Sequence, residues 1–277
     1  MEIQYFGWSG VAIRHADTLV GFDLFGDLVT WAKLGDPATT ILCVTHGHPE
    51  HCGSLARFLA TPDARPHLPT THLISSPLVI DYVTRGSGLP MPHAHALEAG
   101  DAVSIDGARV AAFAWKHMPL LPPGVRPKIE YAAHVLCRPI DFARIAFGGL
   151  HLPLRAPMLG FHLTFADGTT VLNYAEGLHC ITDPREVEAV AHELPADVLL
   201  FAVEPEDVQA IPRWLEMLRP AAVFLYEAHR PWRERFRLPS VDLNAYATEL
   251  SERFQHTRFK TLIYAGQVAV YPVGSPT

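Results

Sequence analysis

Six consecutive residues, His46-Gly47-His48-Pro49-Glu50-His51, place three imidazoles and a carboxylate directly after the apolar residues 41–44. On an extended loop, residues two apart project to the same side, so His46 and His48 can offer two ring nitrogens to one ion. A turn into a helix at Pro49 would bring Glu50 and His51 to the adjacent flank. The spacing predicts a metal site that one loop could share between two ions. The alternative is a polar surface loop in a chain with 16 histidines.

Zinc is the first expectation for this nitrogen and oxygen ligand set, and manganese or iron would also accept it. An ion held here would turn a bound water into a hydroxide near neutral pH. The run therefore predicts metal-dependent chemistry as well as metal binding.

The surrounding pattern predicts strands and helices in alternation. A buried strand is expected before the histidines, and helical spacing continues from Pro49 to residue 60. Asp-Gly pairs at 106–107 and 167–168 predict two hairpins, and a third hairpin is expected over 261–273. Two β-rich halves, each with helices, predict an α/β, four-layer αββα sandwich that forms one domain over residues 1–277.

Residues 118–159, between the two halves, are rich in proline, arginine and apolar residues without a clear period, which predicts an inserted lid or loop region. Five cations oppose two anions there, whereas the whole chain has a net charge of −7. This asymmetry favours an anionic small-molecule substrate, with Arg126, Lys128 and Arg138 as candidate binding residues. Solvated surface arginines are the alternative interpretation.

Composition limits the function classes. A pI near 6.1 gives no reason to expect a nucleic-acid partner. The first residues lack a basic segment followed by a continuous apolar stretch, and no segment is apolar for long enough to span a membrane, so a cytoplasmic protein is expected. The four cysteines are widely spaced, which favours reduced, mostly buried thiols. The oligomeric state is not specified by the sequence.

The histidine run resembles the central motif of the metallo-β-lactamase superfamily, His-x-His-x-Asp-His at the end of a strand in an αββα sandwich. The similarity extends along nearly the whole chain. The opening strands, with Asp23, resemble the first motif, and "AAFAWKHMP" resembles the third. "GFHLTFADGTTVLNYAEG" is similar to the next strand pair, and "LRPAAVFLYEAH" is similar to the last motif. The short N-terminal pattern looks most like the branch of ascorbate-phosphate lactonase and N-acyl phosphatidylethanolamine phospholipase D.

The resemblance implies a ligand set and roles. One ion would bind His46, His48 and His117, a second would bind Glu50, His51 and His229, and Glu176 would bridge them. Asp23 would orient a ligand imidazole through its free N–H. Glu50 would shuttle a proton if it is not a ligand. The branch implies a hydrolase that uses a metal-activated hydroxide on an ester, lactone or phosphodiester.

This chain departs from the family at two positions, because Glu50 and Glu176 stand where the family has aspartates. A longer carboxylate moves its oxygens or shifts the backbone by on the order of 1 Å. One ion or two, and a site that prefers iron or manganese, are therefore open. Two alternatives to a hydrolase are a mononuclear iron oxygenase or redox protein, and a non-catalytic binding protein, on the same fold.

Overall fold

The computed structural model describes residues 1–25, 29–117, 125–140, 143 and 152–272. In these residues, strands that are largely buried build two sheets of seven strands each, and the strands Thr39–Cys43, Val198–Ala202 and Ala222–Tyr226 are buried along their whole length. The first sheet has the order β14-β1-β2-β3-β4-β5-β6. Its strands are β1 (Glu2–Gly7), β2 (Gly10–His15), β3 (Thr18–Phe22), β4 (Thr39–Cys43), β5 (Thr71–Ser75), β6 (His93–Ala96) and β14 (Val268–Val270).

The second sheet has the order β13-β12-β11-β10-β9-β8-β7. Its strands are β7 (Ala102–Ile105), β8 (Ala108–Ala114), β9 (Leu159–Thr164), β10 (Thr170–Ala175), β11 (Val198–Ala202), β12 (Ala222–Tyr226) and β13 (Arg258–Leu262). Both predicted Asp-Gly hairpins form, β7 with β8 and β9 with β10. Gly107 and Gly168 have φ of 85° and 86°, which a glycine adopts at no steric cost.

Helices cover the outer faces of both sheets. On the first sheet lie α1 (Trp31–Leu34), α2 (Pro49–Cys52), α3 (Leu55–Leu59) and α4 (Pro77–Ser87). Helix α5 (Val125–Leu136) belongs to the inserted region, and α6 (Pro184–Glu193), α7 (Ile211–Leu218), α8 (Arg230–Phe236) and α9 (Leu243–Arg253) follow it. The α/β sandwich predicted from the sequence is confirmed. No described helix is long and apolar enough to cross a membrane.

The main core lies between the two sheets, where side chains from both inner faces interlock. The rings of Phe22 and Phe161, one from each sheet, stack with centroids 6.2 Å apart. Both side chains are fully buried. This dry layer fixes the sheets against each other, so loops at one edge of the two sheets can share a site.

Three details differ from the predictions. The expected hairpin over residues 261–273 was wrong, because β13 pairs with β12 in the second sheet and β14 pairs with β1 in the first. The helix expected from Pro49 to residue 60 is two short helices, broken at Gly53 and Ser54. The inserted region also does not separate two halves, since β8 and β9 on either side of it are neighbours in one sheet.

Cysteine placement is mixed. Cys43 and Cys52 are buried, as expected, whereas Cys137 and Cys180 are exposed, and all four are free thiols. The expectation of mostly buried thiols therefore holds for two of the four.

The end of the inserted region packs on the histidine loop. The Leu159 N–H donates to the Thr45 carbonyl at 2.9 Å. A Cβ on Gly47 would lie 2.0 Å from the Pro153 carbonyl oxygen, far inside van der Waals contact. Glycine at position 47 is therefore what lets this segment approach the loop.

We expect Gly47→Ala to push the segment around Pro153 away from the loop, at a cost of about 1–3 kcal/mol in unfolding free energy. Metal affinity should fall as well, because His46 and His48 flank the substituted residue. Chemical denaturation and chelator competition measure the two effects. Gly100→Ala is the control: its φ of 96° makes alanine strained, but nothing lies within 4 Å, so it should lower stability and leave metal affinity unchanged. Equal metal affinity in Gly47→Ala and the native protein would contradict the expectation.

Candidate metal centre

The histidine loop follows the carboxyl end of β4, where the chain leaves the sheet. Residues 39–43 are all buried, and Val44 continues the strand by donating its N–H to the Ile74 carbonyl at 3.0 Å. His48 is the residue before α2 and Pro49 opens the helix, as the sequence predicts. The loop is thus held at both ends by regular structure, which fixes where its imidazoles point.

Three overlapping groups of side chains have ligand atoms within 4.8 Å of one another: His46 with His48 and His117, His46 with His51 and Glu176, and His117 with Glu176 and His229. Strand β8 leads to His117, β10 leads to Glu176, and β12 leads to His229. Strand ends from both sheets therefore meet at one point. The resemblance had implied the first of these groups. It had assigned Glu50, His51 and His229 to a second ion, whereas here His51 and His229 fall in two different groups, each with Glu176.

Glu176 lies at the centre of the cluster. Its Oε1 is 3.2 Å from His51 Nε2, and its Oε2 is 3.2 Å from His117 Nε2. Oε2 is also 3.9 Å from His229 Nε2. The hydroxyl of Ser9 donates to Oε1 at 2.8 Å. One carboxylate thus touches three of the candidate ligands, as a bridging group would.

The backbone before Glu176 is unusual. Ala175 has φ of 48°, in the left-handed region, and the β10–β11 register shifts between Asn173 and Ala175. The Asn173 side-chain oxygen accepts the Ala175 N–H at 3.2 Å and supports this bend. Backbone held in a sparsely populated conformation is common at functional sites. The bend turns Glu176 out of the strand toward the imidazoles.

Glu50 lies at the edge of the cluster. Its Oε1 is 3.8 Å from His48 Nδ1 and 3.9 Å from His229 Nε2, and its side chain is about one-seventh exposed. Among the described residues, it belongs to none of the three compact groups. Its place as a ligand of the second ion stays a prediction, and its position also suits the alternative of a proton-transfer group.

Asp23 is completely buried behind the loop. Its Oδ1 accepts the Thr45 N–H at 2.8 Å, and its Oδ2 accepts the Thr45 hydroxyl at 2.8 Å. Oδ2 also lies 2.9 Å from His51 Nδ1. Burial alone would lower the pKa of His51, but the carboxylates of Asp23 and Glu176 raise it well above its usual value. The Asp23 carboxylate therefore lies against Nδ1 of His51. That it orients a metal-binding imidazole stays a prediction.

His229 has a corresponding partner, Glu204, which follows β11. Glu204 Oε1 accepts the His229 backbone N–H at 3.1 Å and lies 3.0 Å from His229 Nδ1. Although burial lowers the pKa of His229, the carboxylates of Glu176, Glu204 and Glu50 raise it to about 10. Arg233 Nε donates to Glu204 Oε2 at 2.6 Å. Sequence reasoning missed Glu204, although it follows a buried strand next to the one that leads to His229, and that position could have identified it.

We expect Glu204→Gln to weaken metal binding by about 10- to 100-fold, because His229 loses the charged partner that holds its ring. Glu206→Gln is a matched control. Glu206 Oε2 accepts from the same Arg233 at 2.5 Å, but no contact joins Glu206 to His229 in the described part of the chain. Chelator competition should separate the two variants. Equal metal affinities in the two variants would show that Glu204 pairs with Arg233 but does not hold the ring of His229 for metal binding.

A metal ion fits the donor set. His46 is fully buried, and its Nε2 has no hydrogen-bond partner among the described residues. Glu176 Oε2 likewise makes no well-aligned hydrogen bond among the described residues, although His117 Nε2 lies 3.2 Å from it. A buried polar atom without a partner costs free energy, and an ion would satisfy both atoms. The indole of Trp115 stands edge-on to the His46 ring at 5.4 Å and closes one side of the cluster.

The candidate substrate residues lie on or just beyond helix α5 of the inserted region. Lys128 is exposed on α5, and Arg138 is partly buried just beyond the end of α5. The side chain of Arg126 lies outside the described part of the structure. The binding role of these three residues stays a prediction.

No protein-family model and no curated protein matches this sequence. Solved structures do resemble it. Igni18, a novel metallo hydrolase from Ignicoccus hospitalis KIN4/I, matches with a TM-score of 0.64 and 14% identity, over 99% of each chain. The metallo-β-lactamase fold protein YhfI from Bacillus subtilis matches with a TM-score of 0.60 and 11% identity, over 97% of this chain and 98% of that one.

A third structure is CmlA, a diiron β-hydroxylase from Streptomyces venezuelae, with a TM-score of 0.60 and 15% identity. The match covers 95% of this chain and 52% of CmlA, so this chain corresponds to about half of that protein. At such identities, the similarity concerns the fold.

Proposed function

We propose that this chain, which has the metallo-β-lactamase fold, is a metal-dependent hydrolase whose centre is the cluster around Glu176. The observation that carries the proposal is the set of three overlapping groups of ligand atoms, contributed by loops of both sheets. Ring nitrogens and a carboxylate gathered this closely are a donor set that a divalent transition-metal ion accepts.

We propose that the centre binds two metal ions. His46, His48 and His117 would hold one, and His51 and His229 would hold the other, with Glu176 between them. Zinc is the proposed metal because imidazole and carboxylate ligands at these spacings suit it. Such an ion supplies Lewis acidity, which polarises a carbonyl or phosphoryl oxygen and lowers the pKa of water.

The chain's own residues would divide the remaining tasks. Asp23 and Glu204 hold the rings of His51 and His229 through Nδ1, so that each Nε2 faces Glu176. Ser9 fixes one oxygen of Glu176. Glu50, at the partly exposed edge, is the proposed group that accepts a proton from water and returns it to the leaving group.

The proposed substrate is an ester, a lactone or a phosphodiester that carries an anionic group. The resemblance to the lactonase and phospholipase D branch supports the bond type. The excess of cations in the inserted region, including the exposed Lys128, supports the charge.

Metal analysis and a substrate screen test the proposal together. Protein purified without added metal should contain zinc, and it should hydrolyse at least one ester, lactone or phosphodiester. His48→Ala should lose both metal and activity, whereas His256→Ala, which changes an exposed histidine elsewhere, should keep both. One equivalent of metal instead of two would remove the dinuclear assignment. No bound metal, or full activity in His48→Ala, would overturn the hydrolase.

A second candidate is an iron-dependent oxygenase. The similarity to the diiron β-hydroxylase CmlA favours it, together with the glutamates at positions 50 and 176. Iron accepts the same imidazole and carboxylate ligands that zinc does. Iron as the bound metal, with dioxygen consumption by the reduced protein, would select this function. Zinc content with hydrolysis would reject it.

A further inference from the structure

Three histidines outside the proposed centre meet on two neighbouring strands. His72 is the second residue of β5, and His93 and His95 lie on β6, the edge strand of the first sheet. The register pairs His72 with His93, and Ile74 with His95, so all three imidazoles project from one face. On β6, His93 and His95 alternate with the exposed Ala94 and Ala96.

The three rings lie close together. His72 stacks on His93 with centroids 4.6 Å apart and on His95 with centroids 5.3 Å apart. His72 Nδ1 and His95 Nε2 are 3.0 Å apart. His93 Nε2 is 3.1 Å from the Pro69 carbonyl, to which it donates a hydrogen bond, so His93 supports the arrangement from one side.

We propose that His72 and His95 form a second, separate chelating site for a divalent transition-metal ion. Two nitrogens that bind one ion at about 2.1 Å each are about 3.0 Å apart when the ligand angle is a right angle, and about 3.4 Å apart at the tetrahedral angle. The observed separation of 3.0 Å lies in this range. The two nitrogens face each other along the line between the ring centres, so both partly exposed rings would turn to point their lone pairs at the ion. Water molecules would complete the coordination shell, because both rings are only partly buried.

The charge state of the pair suits a cation. Burial, followed by the imidazoles of His93 and His95, lowers the pKa of His72, and burial also lowers the pKa of His95. Both rings are therefore neutral at pH 7, as metal ligands must be. The carboxylate of Asp106 is close enough to oppose the shift at His72, so it adds negative charge beside the site.

Coordination needs no net loss of a proton. Without an ion, one of the two nitrogens donates an N–H···N hydrogen bond to the other. When an ion binds, the donating ring moves its proton to its other nitrogen, which is a change of tautomer. Both facing nitrogens then offer lone pairs. The borderline ligand softness of imidazole favours Ni²⁺, Cu²⁺ and Zn²⁺ over Mg²⁺ or Ca²⁺.

The experiment uses the full chain, loaded with zinc and dialysed against a weak chelator that removes ions held by only two protein ligands. It is then titrated with Ni²⁺ by calorimetry. Bound nickel and retained zinc are then measured by elemental analysis. The native protein and His256→Gln, which changes an exposed histidine elsewhere, should bind one Ni²⁺ without losing zinc. His72→Gln and His95→Gln should bind it at least tenfold more weakly and keep their zinc.

Two results would overturn the proposal. One is a native protein that takes up nickel only by releasing zinc. The other is a His95→Gln variant with native nickel affinity. Because His95 lies on an edge strand, His95→Gln decides the question if His72→Gln does not fold. The outcome is independent of hydrolysis, since neither histidine belongs to the groups around Glu176.

Discussion

Glu176→Gln is expected to lose one or both metal ions and to lower hydrolytic activity by at least about 10²-fold, the scale of losing a key charge-stabilising group. Glutamine keeps the size of the side chain but loses the negative charge that faces His51, His117 and His229. Burial alone would raise the pKa of Glu176, yet the imidazoles of His229 and His51 hold it well below its usual value. The native carboxylate is therefore ionised, and nothing in the variant replaces its charge.

Elemental analysis and activity on the best substrate of the screen measure these effects. Glu249→Gln, on the exposed face of α9, is the matched control and should change neither. Glu176→Asp keeps the charge on a side chain one methylene shorter, so it should fall between the native protein and the glutamine variant. A Glu176→Gln variant with native metal content would show that this carboxylate is not a ligand.

The second large effect is expected at Asp23. Asp23→Ala should destabilise the protein by about 3–5 kcal/mol, because it leaves the His51 ring and the Thr45 N–H buried without their acceptor. Asp23→Asn should cost less stability, since its amide oxygen can still accept from Thr45. It should nevertheless weaken metal binding by about 10- to 100-fold, because His51 loses its charged partner.

Urea denaturation and chelator competition measure stability and metal affinity in these variants. The control is a second histidine–aspartate pair, His15 with Asp167, whose nitrogen and oxygen are 3.0 Å apart but whose carboxylate is 42% exposed. Asp167→Asn should cost less than about 1 kcal/mol and leave the metal in place. Similar losses at positions 23 and 167 would contradict the idea that burial at the centre makes Asp23 important.

The sequence predicted most of the fold because its signals were local. Asp-Gly turns set two hairpins, and buried apolar runs set the strands. The last hairpin was wrong for a physical reason: an apolar run predicts a strand but does not specify its partner. Residues 258–262 and 268–270 are strands, yet each pairs with a different sheet. Pairing partners depend on long-range packing, which local periodicity does not contain.

The candidate centre was predicted unevenly. The histidines of residues 46–51 were evident from spacing, whereas His117, Glu176 and His229 came from resemblance. Glu204 and Ser9 were missed, because an isolated glutamate or serine has no distinctive spacing. Only the packing of strand ends shows that Glu204 holds His229. The substrate residues of the inserted region were argued from charge alone, and charge does not fix a position.

The pairing of β1 with β14 bears on how the protein is made. Ile3 and Ala269 are register partners, and the amino terminus donates to the Tyr271 carbonyl at 3.0 Å. During synthesis at about 5–20 residues per second, β1 therefore waits on the order of tens of seconds for its outer neighbour. Throughout that time its open edge can pair with another nascent chain. The first sheet is therefore most exposed to misassembly during translation, before β14 has been made.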